Sequence, residues 1–412
     1  MAKVYVIGAG IIGVSSAITL QQRGHNVVLL EREAVGAGAS SGNAGAFAFS
    51  DIMPLASPGI LRKAPKWLFD PLGPLSIPPS YALQIAPWMI RFWRASWRDQ
   101  YAQSATAQTA LMEYSQSSLS KLMESTNTTH MLRPEGQLQL YDTEASFKAS
   151  MAGWDFREAH GIPFRHLSSA DEIAEIQPRI SPSFRYATFT PEWQNITEPK
   201  QYLDHLAQYF RDNGGTIETG TVAKIQPSEN GARISLEGGA TVDADKVVIA
   251  AGAWARKLAA SVGDKIPLET ERGYNTTMPA NGFDLRTHLT FGDHAFVVTK
   301  IGDRIRVGGA VELGGLVRPP DYRRSKALLA KAKQFLPDLR DDGGVEWMGF
   351  RPSLPDSLPV IGASPKNPNV IYAFGHGHLG LTQSAGTAHL VADLVSGQHP
   401  DIEISAFRPE RF

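Results

Sequence analysis

Three glycines, Gly8, Gly10 and Gly13, are spaced G-x-G-x-x-G and come directly after the β-branched run Val4–Ile7. The first permits a tight turn, the second lets a pyrophosphate approach bare backbone, and the third lets the next helix close onto the strand. Ser15 to Arg23 reads as that helix, whose N-terminus would turn unpaired N–H groups and partial positive charge toward phosphates. A second apolar run, Val27 to Leu30, ends in Glu31-Arg32, where a carboxylate can accept two hydrogen bonds from a ribose. A carboxylate there also argues against a 2′-phosphate. Gly8, Gly10, Ile11, Ile12, Gly13, Glu31 and Arg32 therefore read as a site for an adenine dinucleotide.

Composition narrows what such a site serves. The 412 residues are enough for a large core and two or three domains, and 42% apolar with 20% charged residues is the balance of an ordinary globular protein. Lys plus Arg number 40 against 41 Asp plus Glu, which gives no electrostatic footprint for nucleic acid. With no cysteine there is no disulfide, thiolate nucleophile, iron–sulfur cluster or thioether link to a cofactor. No window approaches 18 uninterrupted apolar residues, so no bilayer-spanning helix is expected. The first strand begins at once, with no basic stretch or cleavage site before it, and a cytoplasmic protein is the expectation.

The elements that must position the glycine turn can be traced along the chain. Gly36 to Ala46 is a run of small residues, open to two readings: a flexible loop, or backbone lying flat against a large planar ligand. In the second, Ser40, Ser41 and Asn43 offer hydroxyl and amide groups to phosphates or a ring edge. Residues 54–87 hold eight prolines, and Trp67, Trp88, Trp93 and Trp97 lie close by with Arg62, Lys63, Lys66, Arg91, Arg94 and Arg98, opposed only by Asp70 before Asp99. This stretch either packs on its own domain or docks on a membrane interface or electron-accepting partner through 61–98. The periodicities predict a helix over Tyr101–Thr129 and then a strand over Arg133–Tyr141. Val247 to Ala250 then runs into Ala251-Gly252, a second strand–glycine turn, with a helix from Trp254. Strand alternation resumes at Arg272–Met278, His294–Lys300 and Arg304–Val311, and the chain closes with Val370–Phe374, a glycine-rich turn and a helix over Gln383–Leu394. The expected fold is α/β (α+β overall): a Rossmann-like nucleotide domain of residues 1–46, 143–261 and 346–412, with a mixed β-sheet substrate domain of residues 47–142 and 262–345 inserted in it.

Five motifs in order across nearly the whole chain resemble the D-amino acid oxidase superfamily of flavin amine oxidoreductases, most closely its bacterial D-amino acid dehydrogenase branch. They are Gly8 to Gly13 with Glu31-Arg32; Gly38-Ala-Ser-Ser-Gly-Asn43-Ala44-Gly45; Val247-Val-Ile-Ala-Ala251-Gly252-Ala-Trp254; Gly349-Phe-Arg351-Pro-Ser-Leu-Pro355 continuing to Gly362; and Gly375-His-Gly377-His378-Leu379-Gly380-Leu-Thr382. The resemblance implies FAD, its pyrophosphate on Gly8 to Gly13, its ribose on Glu31, and its isoalloxazine between the Ser40 to Gly45 loop and the Gly377 to Thr382 turn. Relatives that bind flavin covalently use a cysteine, or a histidine in the loop after the second strand; neither is present, so non-covalent FAD is expected.

Arg351 matches the family's arginine for the substrate carboxylate, a role suited to a planar, permanently charged fork. Many relatives add a tyrosine. The segment Asp293-His294-Ala295-Phe296-Val-Val resembles the strand that carries it and holds Phe296 in that place, which leaves Tyr274 either as substitute anchor or as core. His294, His376 and His378 are open to acid–base or structural roles. The implied reaction is hydride transfer from a D-amino acid's α-carbon to flavin N5, giving a 2-oxo acid and ammonia, with electrons passed to a quinone or redox protein. Alternatives are a dehydrogenase of a cyclic D-imino acid such as cis-4-hydroxy-D-proline or D-proline, an oxygen-using glycine or sarcosine oxidase, or a non-catalytic flavin subunit. The branch resemblance and the aromatic, basic 61–98 segment favour a dehydrogenase over an oxidase, and that segment adds peripheral contact at the inner face of the membrane as an option to the cytoplasmic expectation.

Overall fold

The computed structural model describes residues 1–60, 73 and 75–412. A first sheet has the strand order Thr216–Thr219, Asn26–Glu31, Lys3–Ile7, Lys246–Ile249, Asn367–Phe374, Val360–Ser364. The first five run parallel, and the sixth pairs antiparallel as an edge. A parallel sheet must be covered on both faces, and the unbroken apolar runs supply both covers. Val4, Val6, Leu29 and Val248 face the helices Ile11–Gln22 and Ser384–Ser396. Tyr5, Ile7, Val247 and Ile249 face the helix Ala255–Val262 and a three-stranded sheet carrying Ile225 and Ile234. The Ile11–Gln22 helix can lie this close because of Gly13, where a Cβ would fall 1.9 Å from the Gly8 carbonyl oxygen.

A second, mixed sheet runs Val345–Ser353, Glu269–Pro279, Arg304–Glu312, Phe296–Ile301, His288–Phe291, Gln137–Tyr141, Tyr186–Thr190, Arg165–Leu167, with Leu75–Ser76 paired to Arg304–Glu312. Alternation gives it two unlike faces. Leu138, Leu140, Leu289, Phe291, Phe296, Val298 and Val307 form an apolar core under the helix Arg323–Phe335. The opposite face carries Gln137, Gln139, Thr188, His288, Thr290 and Arg306. Most of these are nonetheless buried, so this polar face turns inward.

Strand pairing crosses the division read from the sequence at two places. Arg165–Leu167 and Tyr186–Thr190 lie within 143–261, expected in the nucleotide domain, but pair into the second sheet through Gln137–Tyr141. Val345–Ser353, expected from residue 346 in the nucleotide domain, is the second sheet's edge. Chain order, on which both expectations rest, does not reveal strand partners. Arg98–Ser125 forms the long helix, and Ala82–Ala95 a shorter one before it. Arg62, Lys63, Lys66, Trp67 and Asp70 lie outside the described residues. Among the described residues no helix is long and apolar enough to cross a membrane.

Candidate active site

The Gly8–Gly13 turn leaves the carboxyl end of the central Lys3–Ile7 strand, beside which the chain passes outward on either side to Asn26–Glu31 and Lys246–Ile249. Parallel sheets open a crevice at this point. Gly8 has φ +104°, and a Cβ there would sit 2.6 Å from the Ala250 carbonyl oxygen. A Cβ on Gly10 would meet Ser40 Oγ at 3.1 Å, and that hydroxyl accepts the Ile11 N–H at 3.0 Å. Glu31 is fixed at the rim: its carboxylate accepts the Ala9 N–H at 2.7 Å and the Glu33 N–H at 3.1 Å. The Arg32 guanidinium lies 3.6 Å from the Trp254 ring centre.

The small-residue loop after the Asn26–Glu31 strand is fastened to the second sheet. Asn275 Nδ2 donates to the Gly42 carbonyl at 2.8 Å, and Arg306 donates to the Asn43 carbonyl and, at 2.8 Å, to Thr277 Oγ1. Burial pushes Arg306 down to about 10, with Glu198 opposing. Gly42 has no room for a side chain, since a Cβ would fall 2.4 Å from Trp347. The loop is therefore pinned backbone on a polar sheet.

Between the two sheets lies a cavity of about 900 Å³. It is lined by the glycine turn, by Gly377 to Gly380, and by the polar face of the second sheet. Arg351, on the edge strand, reaches across Gly273 to donate to the Ala310 carbonyl at 3.1 Å. A Cβ on Gly273 would lie 2.4 Å from that guanidinium. Arg351 forms no ion pair among the described residues, and burial lowers its pKa while Glu271 opposes. Several buried polar atoms along this wall also lack partners among the described residues, including His288 Nδ1, Trp193 Nε1 and Asn275 Oδ1. Buried groups are rarely left so, and these atoms are free to meet a polar ligand.

The family model for FAD dependent oxidoreductases matches residues 3–394. The chain belongs to this family. It is 33% identical over 416 residues to a D-amino-acid oxidase of Bradyrhizobium diazoefficiens, covering 99% of this chain and 98% of that one. A D-amino acid dehydrogenase of Sinorhizobium medicae is 32% identical over 419 residues, covering both chains fully. A solved glycine oxidase from Geobacillus kaustophilus is similar in fold, with a TM-score of 0.79 at 24% identity over all of both chains. An L-proline dehydrogenase from P. horikoshii has a TM-score of 0.76 at 19% identity, over 100% of this chain and 97% of that one.

FAD fits the oxidoreductase's cavity on three counts: a glycine cradle that no Cβ could share, a helix N-terminus facing it, and a carboxylate at its rim. Of the residues singled out in the sequence, Gly8, Gly10, Ile11, Ile12, Glu31, Arg32, Ser40, Asn43, Ala44, Ala251, Gly252, Gly377, His378, Leu379 and Gly380 line it, with Arg351. Gly13, Ser41, Gly45 and Thr382 are absent from the lining and shape it from behind. Ser41 Oγ donates to the Gly38 carbonyl at 3.3 Å, and Gly45, at φ +69°, donates its N–H to Asn43 Oδ1 at 2.7 Å. Thr382 Oγ1 accepts the Ala48 N–H at 3.0 Å and donates to the Ala46 carbonyl at 3.3 Å, tying the turn to the loop.

Tyr274 contributes to the cavity wall, but the register turns its side chain to the face opposite Arg351. There its hydroxyl donates to Glu312 and accepts the Asp321 N–H at 3.2 Å, within a buried group that includes Arg272. Phe296 stacks its ring on Phe291 at 4.6 Å in the apolar core, and both Phe296 and Val297 of that strand contribute to the cavity lining. His294 pairs with Asp142 at 2.7 Å. Burial lowers His376 to about 3, and its Nε2 lies 2.9 Å from Thr387 Oγ1, as a neutral tether. His378 faces the cavity 3.6 Å from Asp51, which Arg157 also pairs at 3.4 Å. Burial pushes Asp51 up, but His378 and Arg157 outweigh it and hold the carboxyl below its ordinary value. Asp51, Arg157, His288 and Trp193 are not legible in the sequence because they lie far apart in it and carry no motif.

Proposed function

We propose that this oxidoreductase oxidises a D-amino acid to its imino acid, a hydride leaving the α-carbon for the FAD acceptor and a proton leaving the ammonium for solvent, and that water hydrolyses the imino acid to a 2-oxo acid and ammonia. The observation that carries the reading is Arg351, a buried guanidinium that forms no ion pair among the described residues, on the wall of the family's FAD cavity. A bidentate carboxylate would complete it. FAD supplies the hydride acceptor when bound. The chain's part is to position the substrate: Arg351 grips the carboxylate, the Ala310 carbonyl fixes the guanidinium plane, and bare backbone at Gly273 lets it lie flat. The Arg351 guanidinium is buried, so the clamp acts at lower dielectric than in bulk water. His288, pushed down to about 4 by burial, is neutral in this wall at neutral pH and adds no competing cation. The imino acid that leaves is then hydrolysed by water.

The named relatives include both an oxidase and dehydrogenases of D-amino acids, which supports the substrate class and divides over the acceptor. A membrane quinone is favoured by the helix Ala82–Ala95. Leu83 is 90% exposed, and Ile90, Trp93 and Trp97 continue the same outward stripe, flanked by exposed Arg91, Arg94 and Arg98. An apolar stripe rimmed by arginines suits an anionic lipid surface.

Arg351→Lys tests the carboxylate assignment. A point charge replaces a fork, and KM for the best D-amino acid is expected to rise roughly 10- to 100-fold. An unchanged KM would remove the assignment.

A further inference from the structure

The Glu269–Pro279 strand brings a second charge to the cavity that the carboxylate clamp does not use. Glu271 stands directly opposite Arg351 in the antiparallel register, so both side chains leave the same face. It lines the cavity and is 8% exposed. Among the described residues its carboxylate accepts no hydrogen bond and joins no ion pair. The obvious partner is Arg351, near enough to feel its charge, yet that guanidinium is drawn away over Gly273 to the Ala310 carbonyl. A cation and an anion thus face one cavity from neighbouring strands without closing on each other. Leaving either buried charge unpaired costs several kcal/mol, so the arrangement asks for a ligand carrying both opposite charges. An α-amino acid carries a carboxylate and an ammonium on one carbon.

We propose that Glu271 receives the substrate's ammonium while Arg351 holds its carboxylate. The inference rests on the reading that the substrate is an amino acid gripped by Arg351, and it adds the class of molecule that is refused: carboxylic and 2-hydroxy acids, which leave Glu271 unpaired. It also fixes two of the four groups on the α-carbon. With these two held, the enantiomers differ only in whether hydrogen or side chain faces the FAD side of the cavity, so the charge pair supplies two of the three contacts that handedness requires.

The test compares D-alanine with propionate, the same molecule without its amine, on the FAD-loaded enzyme. KM for D-alanine comes from turnover, and Kd for propionate from the change it makes in flavin absorbance. In Glu271→Gln the D-alanine KM should rise roughly 10- to 100-fold, while propionate binds equally or more tightly because an anion beside Arg351 has gone. Glu271→Asp should recover part of the loss. Equal weakening of both ligands, or of neither, would overturn the assignment. Should Glu271→Gln not fold, the wild-type enzyme decides: binding of propionate as tight as that of D-alanine overturns the proposal, and binding at least tenfold weaker supports it. A wild-type flavin that binds propionate but is reduced by no amino acid would instead overturn the reading of the reaction itself.

Discussion

At the scale of single residues, Arg351 and Tyr274 mark how far residue type reaches. Arg351 is legible because its motif is local: G-x-R-P places a guanidinium at a defined step of one strand. Tyr274 is ambiguous because its face depends on the register with Arg304–Glu312 and Val345–Ser353, which lie far away in the chain. The register turns its hydroxyl to Glu312 and the Asp321 N–H, and burial pushes its pKa up to about 12. Tyr274→Phe should therefore cost about 1–3 kcal/mol of stability while leaving KM within about twofold, because it strips a buried hydrogen bond and not a substrate contact. Thermal unfolding and steady-state kinetics on one preparation check this. A tenfold rise in KM at unchanged unfolding temperature would return Tyr274 to the substrate. Glu271 is illegible, since nothing in Glu271-Arg272-Gly273-Tyr274 says which of two adjacent charges faces the cavity and which, as Arg272 does, faces a buried Glu312.

Among the elements, the first sheet can be read almost directly, because a parallel strand buried on both faces leaves an unbroken apolar run and the glycine turn fixes the helix after it. The second sheet's strands can be read from alternation, but their polar residues cannot be told from an ordinary solvent face. Gln137 and Gln139 alternate with Leu138 and Leu140 as on any surface strand, yet here they line the cavity. The information absent from the strand itself is its cover, which comes from the other sheet. The helix Ala82–Ala95 presents the reverse case, an apolar stripe turned outward: Leu83 and Ile90 are largely exposed, and Trp93 and, just past the helix end, Trp97 about half exposed. If this face meets lipid, wild-type protein should sediment with vesicles containing phosphatidylglycerol. A Trp93→Gln, Trp97→Gln double variant should not, while keeping full turnover with a soluble dye acceptor. Equal sedimentation of the two would place the stripe elsewhere in the protein's function.

At the scale of the whole molecule, the two larger sheets face each other across the cavity. The first supplies the glycine cradle and Glu31 for FAD. The second carries Arg351 and Glu271 on adjacent strands, and it anchors the loop Gly36–Ala46 through Asn275 and Arg306, so that loop and the Arg351 wall share one frame. The order of motifs makes the glycine turn and the Arg351 strand legible, while strand pairing near 143 and 346 is not, because strands are recruited across the fold rather than along the chain. The central claim is that this frame presents a D-amino acid to FAD, and anaerobic reduction tests it most directly. Purified protein with its flavin oxidised should lose its yellow absorbance on addition of at least one D-amino acid and keep it with the matching L-enantiomer. Retention of the oxidised spectrum through a full panel of D-amino and D-imino acids would contradict that claim.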